Sequence, residues 1–267
     1  MVPALMMACG GCTLTAPIPG GPLRPDNFTT VQTTWAYAYG PAKGSQNGDT
    51  VSGNGQTVGR GGDLGAVVPI SLGLRQSLRS SLELAGDIGW LSSGIEVRAG
   101  TPGGTGPWPF AISAGFRSSV LSIGIDENNP PPTYEGRVRF ELYPRLRADR
   151  DGGTWLMLSA GVSYGLFEHS IEGPAQDGDV PDFAAHFVVA RPETRLELSI
   201  GVDYRVRSAE IRFAIAPWIL LDAGAPTDRC GSGCPPIDSF SQSWGVSFLF
   251  SPSLGGDLIS RTRAVLE

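Results

Sequence analysis

No run of about eighteen consecutive apolar residues occurs anywhere in the 267-residue chain, so a membrane-crossing helix is excluded. Lysine is almost missing: Lys43 stands alone among 20 basic residues, a skew that reflects coding bias rather than chemistry. Charged residues make up 17% of the chain, below the roughly one quarter usual in soluble domains. A net charge of -6 and a pI near 5.0 supply no basic surface for a nucleic-acid partner. Histidine occurs twice, as His169 and His186, and cysteine four times. What the chain has in quantity is glycine, 37 residues, which suits a thin-walled sheet better than a helical core.

The stretch Thr194 to Arg207 reads T-R-L-E-L-S-I-G-V-D-Y-R-V-R. Leu196, Leu198, Ile200, Val202, Tyr204 and Val206 fall on every second position, with polar or charged residues between them. Period two over that length predicts a strand. Soluble strands usually run about five or six residues, whereas a tilted strand crossing an outer membrane needs about nine to eleven with one unbroken apolar face. The apolar row is then expected to face lipid and the charged row the inside of a closed barrel.

The same pattern predicts strands at 29–39, 65–75, 81–90, 108–116, 120–126, 134–147, 154–168, 210–221 and 244–250, giving about ten in all within a range of eight to twelve. The third is expected to continue to Ala99 through a kink at Ser92 to Gly94. Trp35, Tyr37 and Tyr39 on one face suit a membrane-interface girdle. Residues 1–28 form an export or lipoprotein-like segment and a Pro/Gly-rich tether, 29–250 the barrel, and 251–267 a tail. The connections alternate in length, with long ones at 40–64, 169–193 and 223–239 and short ones at 76–80, 148–153 and near 208. Short periplasmic turns and longer outside loops with an even strand count give that alternation, and both termini then fall on the periplasmic side.

From Thr29 to Phe250 the chain resembles the small outer-membrane β-barrel proteins of Gram-negative bacteria, in pattern rather than through a specific motif. The resemblance implies an all-β, antiparallel, up-and-down transmembrane barrel in the outer membrane, with membrane lipids and the outer-membrane assembly machinery as partners. In that family an aromatic residue ending the last strand is read by the machinery, and Phe248 and Phe250 match it, although seventeen residues follow. The N-terminus resembles a lipobox, with Ala8 before Cys9 and Gly10 after it, but Met6 stands where the family prefers Leu. That resemblance implies lipidation at Cys9; a remnant of an ordinary export signal is the alternative.

Cys9 and Cys12 with Cys230 and Cys234 could make a zinc site by spacing, but they belong to opposite ends of the predicted barrel. C-G-S-G-C at Cys230 and Cys234 is better read as a disulfide stapling an outside loop. No metal and no cofactor is expected. His169 beside Ser170 suggests an outer-membrane lipid hydrolase or deacylase, but neighbouring side chains in extended backbone point apart, and both histidines are expected as solvated loop residues. The chain is therefore read as a non-enzyme.

The charged rows are the stronger lead. Glu83, Asp87, Arg137, Arg139, Glu141, Arg145, Arg147, Glu197, Asp203, Arg205 and Arg212 are all expected to face the lumen. Buried charges have to pair or be wetted, so the lumen is either a plug of ion pairs or a narrow pore for a small polar solute. The expected role is structural, binding or narrow-pore. A soluble or lipid-anchored lipocalin-like barrel, carrying an apolar ligand inside, would reverse the two faces.

Overall fold

The computed structural model describes residues 20–46, 49–56, 71–89, 92–119, 134–149, 152–174, 184–228 and 237–256. Strands in chain order are β1 (Thr29–Tyr39), β2 (Pro41–Gln46), β3 (Asp49–Gln56), β4 (Ser71–Arg79) and β5 (Leu82–Gly89). Next come β6 (Ser92–Gly100), β7 (Phe110–Ser119), β8 (Tyr134–Leu142), β9 (Arg145–Asp149) and β10 (Gly152–Pro174). The last five are β11 (Ala184–Val206), β12 (Ala209–Ala223), β13 (Thr227–Asp228), β14 (Ile237–Ser241) and β15 (Trp244–Gly256).

Ten of these close into an antiparallel barrel in the order β11-β12-β15-β1-β4-β5-β6-β7-β8-β10, and β10 pairs back onto β11 to complete the ring. Closure leaves the ring without a free edge, so strand hydrogen bonding is satisfied around the whole wall. The alternation of the sequence becomes an alternation of faces. Leu72, Ile88, Ile95, Phe140, Ile200 and Phe213 are exposed on the outside, while Glu83, Arg98, Arg139, Asp203 and Arg212 are buried within.

One end of the ring carries the connections 80–81, 101–109, 143–151 and 207–208 and both ends of the described chain. The connection 207–208 is a two-residue hairpin, with Arg207 at φ 52°. At the other end, β10 and β11 pair without interruption from Gly152–Val206 to Pro174–Ala184. β3, β2 and β14 continue this outer sheet from β10, and β13 borders β11.

Several expectations are corrected. The kinked third strand is two strands, since β5 and β6 pair antiparallel from Leu82–Ala99 to Ile88–Ser93. Outward residues sit at even numbers in β5 (Leu84, Ile88) and odd numbers in β6 (Ile95, Val97). A kinked single strand keeps its parity, whereas a reversal is free to change it. The expected strand 120–126 lies outside the described residues, and β7 pairs directly with β8. Ten strands close the ring, and 101–109 lies at the turn end. The second strand is described only from Ser71, and it runs to Arg79, past the expected turn. The last strand continues past Phe250 to Gly256, where Gly256 pairs with Thr29, so the start of the expected tail is wall. The expected loop 169–193 is largely the paired upper part of β10 and β11. The tether is described from Gly20 onward, and residues 20–23 are buried in the lumen.

Candidate functional site

The interior of the barrel is the site, because alternation on ten strands turns every second side chain into one enclosed space. Its charges fall into three levels.

At the outer end, Glu193 of β11 lies between Arg191 (2.6 Å) and Arg195 (2.6 Å) and accepts from the His169 ring at 2.7 Å. The second ring nitrogen of His169 is 2.7 Å from Gln242 Oε1. Aromatic faces cover the cations: the Arg195 guanidinium lies 3.6 Å from the Phe167 ring centroid and 4.0 Å from that of Trp218. Such stacking suits arginine, whose planar group is weakly hydrated.

At mid-height, Arg137 joins Glu135 on its own strand and Glu197 of β11 at 3.0 Å. Arg139 pairs with Glu96 at 2.8 Å, and Arg117 takes Asp87 through both carboxylate oxygens at 2.6 and 2.7 Å. Ser163 donates to Glu197 at 2.8 Å.

At the turn end, Arg98 is fully buried and donates to Glu83 at 2.6 Å, to Glu141 at 2.7 Å and to the Tyr143 hydroxyl at 2.7 Å. Across from it, Arg205 pairs with Asp203 at 2.8 Å and Arg212 with Glu210 at 3.1 Å. An apolar layer of Leu23, Ala111, Tyr143, Trp155, Met157, Ala214, Ala216 and Leu249 lies against this level. Arg75, Arg98 and Arg205 also donate to the backbone of residues 20–22.

Of the residues singled out in the sequence, Glu83, Arg137, Arg139, Glu141, Glu197, Asp203, Arg205 and Arg212 are buried inside, and Asp87 is partly buried in its pair with Arg117. Arg145 and Arg147 are corrected: both are exposed. Pro144 ends β8 at Leu142, and β9 beyond it leaves the lumen to border the start of β10. Arg147 there pairs with Asp149 at 2.9 Å in the open. His169 is also corrected, from a solvated loop to a fully buried position on β10. His186 lies on β11, opposite Glu172. Cys9, Cys12, Cys230 and Cys234 lie outside the described residues.

Sequence reasoning missed Arg75, Arg98, Glu193 and Glu210, all members of the buried pairs. Arg75 and Glu210 stand at the ends of predicted strands and Arg98 on the predicted extension to Ala99, whereas Glu193 lies one residue before the strand predicted from Thr194. Gly161-Val162-Ser163-Tyr164-Gly165 also spells the nucleophile-elbow pattern of serine hydrolases. It lies inside β10, away from any strand-to-helix turn, and its serine is spent on Glu197.

No family model matches the chain, and no curated protein matches it. Among solved structures, the outer membrane protease OmpT of Escherichia coli is similar at 11% identity and a TM-score of 0.36, over 87% of this chain and 96% of that one. The toluene transporter TodX of P. putida gives 9% and 0.28, over 89% and 90% of the two chains. The translocator domain of the autotransporter NalP from Neisseria meningitidis gives 12% and 0.28, over 88% and 89%. Likenesses this weak transfer no activity, and the chemistry of the chain rests on its own two faces.

Proposed function

We propose that the protein is an outer-membrane β-barrel whose polar lumen is closed in the described state, and that it serves a structural or binding role through its outer rim. The inversion of its faces carries this reading. Ile88 is 71% and Phe213 57% exposed on the outside, whereas Arg98, Arg212 and Glu141 are at 0% inside. In water such an arrangement exposes apolar surface and strips charges of solvent; in a bilayer both faces meet their preferred surroundings. The soluble ligand carrier needs an interior lined mainly by apolar side chains, whereas three charged levels dominate this one and its apolar layer is taken up by Leu23.

Aromatic residues support the same reading. Tyr39 and Trp244 contact at 6.3 Å between ring centroids near the outer limit of β1 and β15, where an interface girdle belongs. Membrane lipids and the assembly machinery are the partners this reading entails, with the short turns and termini facing the periplasm. Lipidation at Cys9 and a Cys230–Cys234 disulfide belong to the proposal on their sequence motifs alone. A non-enzymatic role is favoured because the His169 ring is enclosed between Glu193 and Gln242.

Ile200→Arg tests the reading. Placed on the outside of β11, the arginine is expected to cost about 2 to 4 kcal/mol at the midplane of a bilayer and to reduce the heat-resistant, membrane-assembled form. Assembly and stability equal to the parent protein would overturn the membrane reading. His169→Ala is expected to remove no hydrolysis of lipid ester substrates; loss of such an activity would restore the enzyme.

A further inference from the structure

Residues 20–24, G-G-P-L-R, cross the lumen at its turn end. Three successive carbonyls are taken by three arginines of the wall. Gly20 O accepts from Arg75, Gly21 O from Arg98 at 2.6 Å, and Pro22 O from Arg205 at 2.8 Å. Leu23, 2% exposed, enters the apolar layer with Tyr143, Trp155 and Met157, and Arg24 reaches Glu210 at 2.5 Å. Arg75 and Arg98 belong to β4 and β6, Arg205 and Glu210 to β11 and β12, so the segment joins two separate parts of the ring.

At Gly20 and Gly21 the seat closes around the bare backbone. A Cβ on Gly20 would overlap the Arg98 and Arg75 guanidinium groups; one on Gly21 would overlap Asp203 and Arg205. These side chains are buried and already paired, so they have little room to give. Gly21 also sits at φ 72°, where L side chains are disfavoured.

The segment is attached in a manner that permits withdrawal. Over 20–24 the wall holds its backbone through side chains, and the backbone-to-backbone bonds to β4 among the described residues come at Asn27 and Phe28, through Asn27 N to Ser77 O at 3.0 Å and Ser77 N to Phe28 O at 2.9 Å. Pro25, Asp26 and Asn27 are exposed, and Asn27 at φ 60° forms the bend. Once the segment leaves, Arg75 and Arg98 keep Glu83, Arg205 keeps Asp203, and Glu210 keeps Arg212. No charge of the wall is stranded.

We propose that Arg75, Arg98 and Arg205 form a site for an extended peptide backbone, that its resident ligand is the chain's own Gly20–Arg24, and that withdrawal of this stopper opens the lumen to small polar solutes. The passage rests on the membrane-spanning reading above. The closed state is then one of two, and the barrel is a gated passage rather than a permanently filled cylinder.

The test uses the full-length protein in planar bilayers with potassium chloride on both sides, unsubstituted and as two variants. One is Gly20→Val with Gly21→Val, which the seat cannot hold; the other is Leu23→Asp, which drives the segment out of the apolar layer. Hydrogen exchange over residues 20–24 reports whether the stopper has left, and heat-modifiable mobility reports whether the barrel has folded. The unsubstituted protein is expected to insert and stay silent. Both variants are expected to exchange faster at 20–24 and to show discrete conductance steps, and a synthetic peptide of residues 20–26 added on the turn side should abolish them. Folded variants that lose protection at 20–24 yet stay silent would overturn the stopper, as would steps indifferent to the peptide. Folded variants that keep full protection would overturn the glycine requirement and the seat with it. Steady conductance by the unsubstituted protein would refute the closed lumen, and failure of that protein to insert would overturn the membrane reading and the passage together.

Discussion

Arg98 engages Glu83, Glu141, Tyr143 and the Gly21 carbonyl at once, so its charge is balanced on the wall and its planar group is held from several sides. Removing one partner of a buried ion pair leaves the other uncompensated, at about 3 to 5 kcal/mol. Arg98→Ala is expected to lower stability by that amount in denaturant unfolding from detergent or lipid. Arg147→Ala, on an exposed pair with Asp149, should change it by no more than about 0.5 kcal/mol. Equal losses at the two positions would mean that the interior pairs do not differ from surface ones. Arg147 stands on the same parity of its charged row as the buried Arg137 and Arg139, and alternation alone could not separate them. What separates them is where the lumen ends, set by Pro144 and the departure of β9, and that is a property of the assembled ring.

The strands were legible because period two survives wherever one face meets apolar surroundings and the other does not. Thr194 to Arg207, read as a strand from sequence, lies wholly within the hairpin that β11 makes with β12, apart from its turn residue. Ser92 to Gly94 were misread because serine and glycine carry no strong facial preference, and only the change of parity between Ile88 and Ile95 marked the reversal. A central position in β6 provides the check. Val97 sits in a strand bonded to β5 on one side and β7 on the other, so Val97→Pro should prevent formation of the heat-resistant barrel. A dangling extension beyond the lipid would tolerate it. The stopper was not legible at all, since Pro and Gly signal irregular backbone without saying whether wall side chains will bind it.

On the scale of the whole molecule, the ring places short turns and both described chain ends on one side and the paired upper halves of β10 and β11 on the other. An epitope inserted at 120–133 is expected to be reached by antibody on intact cells, and one placed after Gly256 only after permeabilisation. The reverse pattern would invert the orientation. Because its ion pairs are screened by the wall from bulk solvent, the folded barrel should show nearly the same unfolding midpoint at about 0.05 and 1 M sodium chloride. A steep salt dependence would indicate that the interior is open to electrolyte.

Many of the interior pairs join residues two apart on one strand: Glu135 with Arg137, Arg139 with Glu141, Glu193 with Arg191 and Arg195, Asp203 with Arg205. Such partners are neighbours before any sheet exists, so each β-ribbon brings its own counterions as it enters the bilayer. For these pairs insertion would not require a naked ion to wait in hydrocarbon for a strand made later in synthesis, and much of the ring could be assembled from hairpins already neutralised.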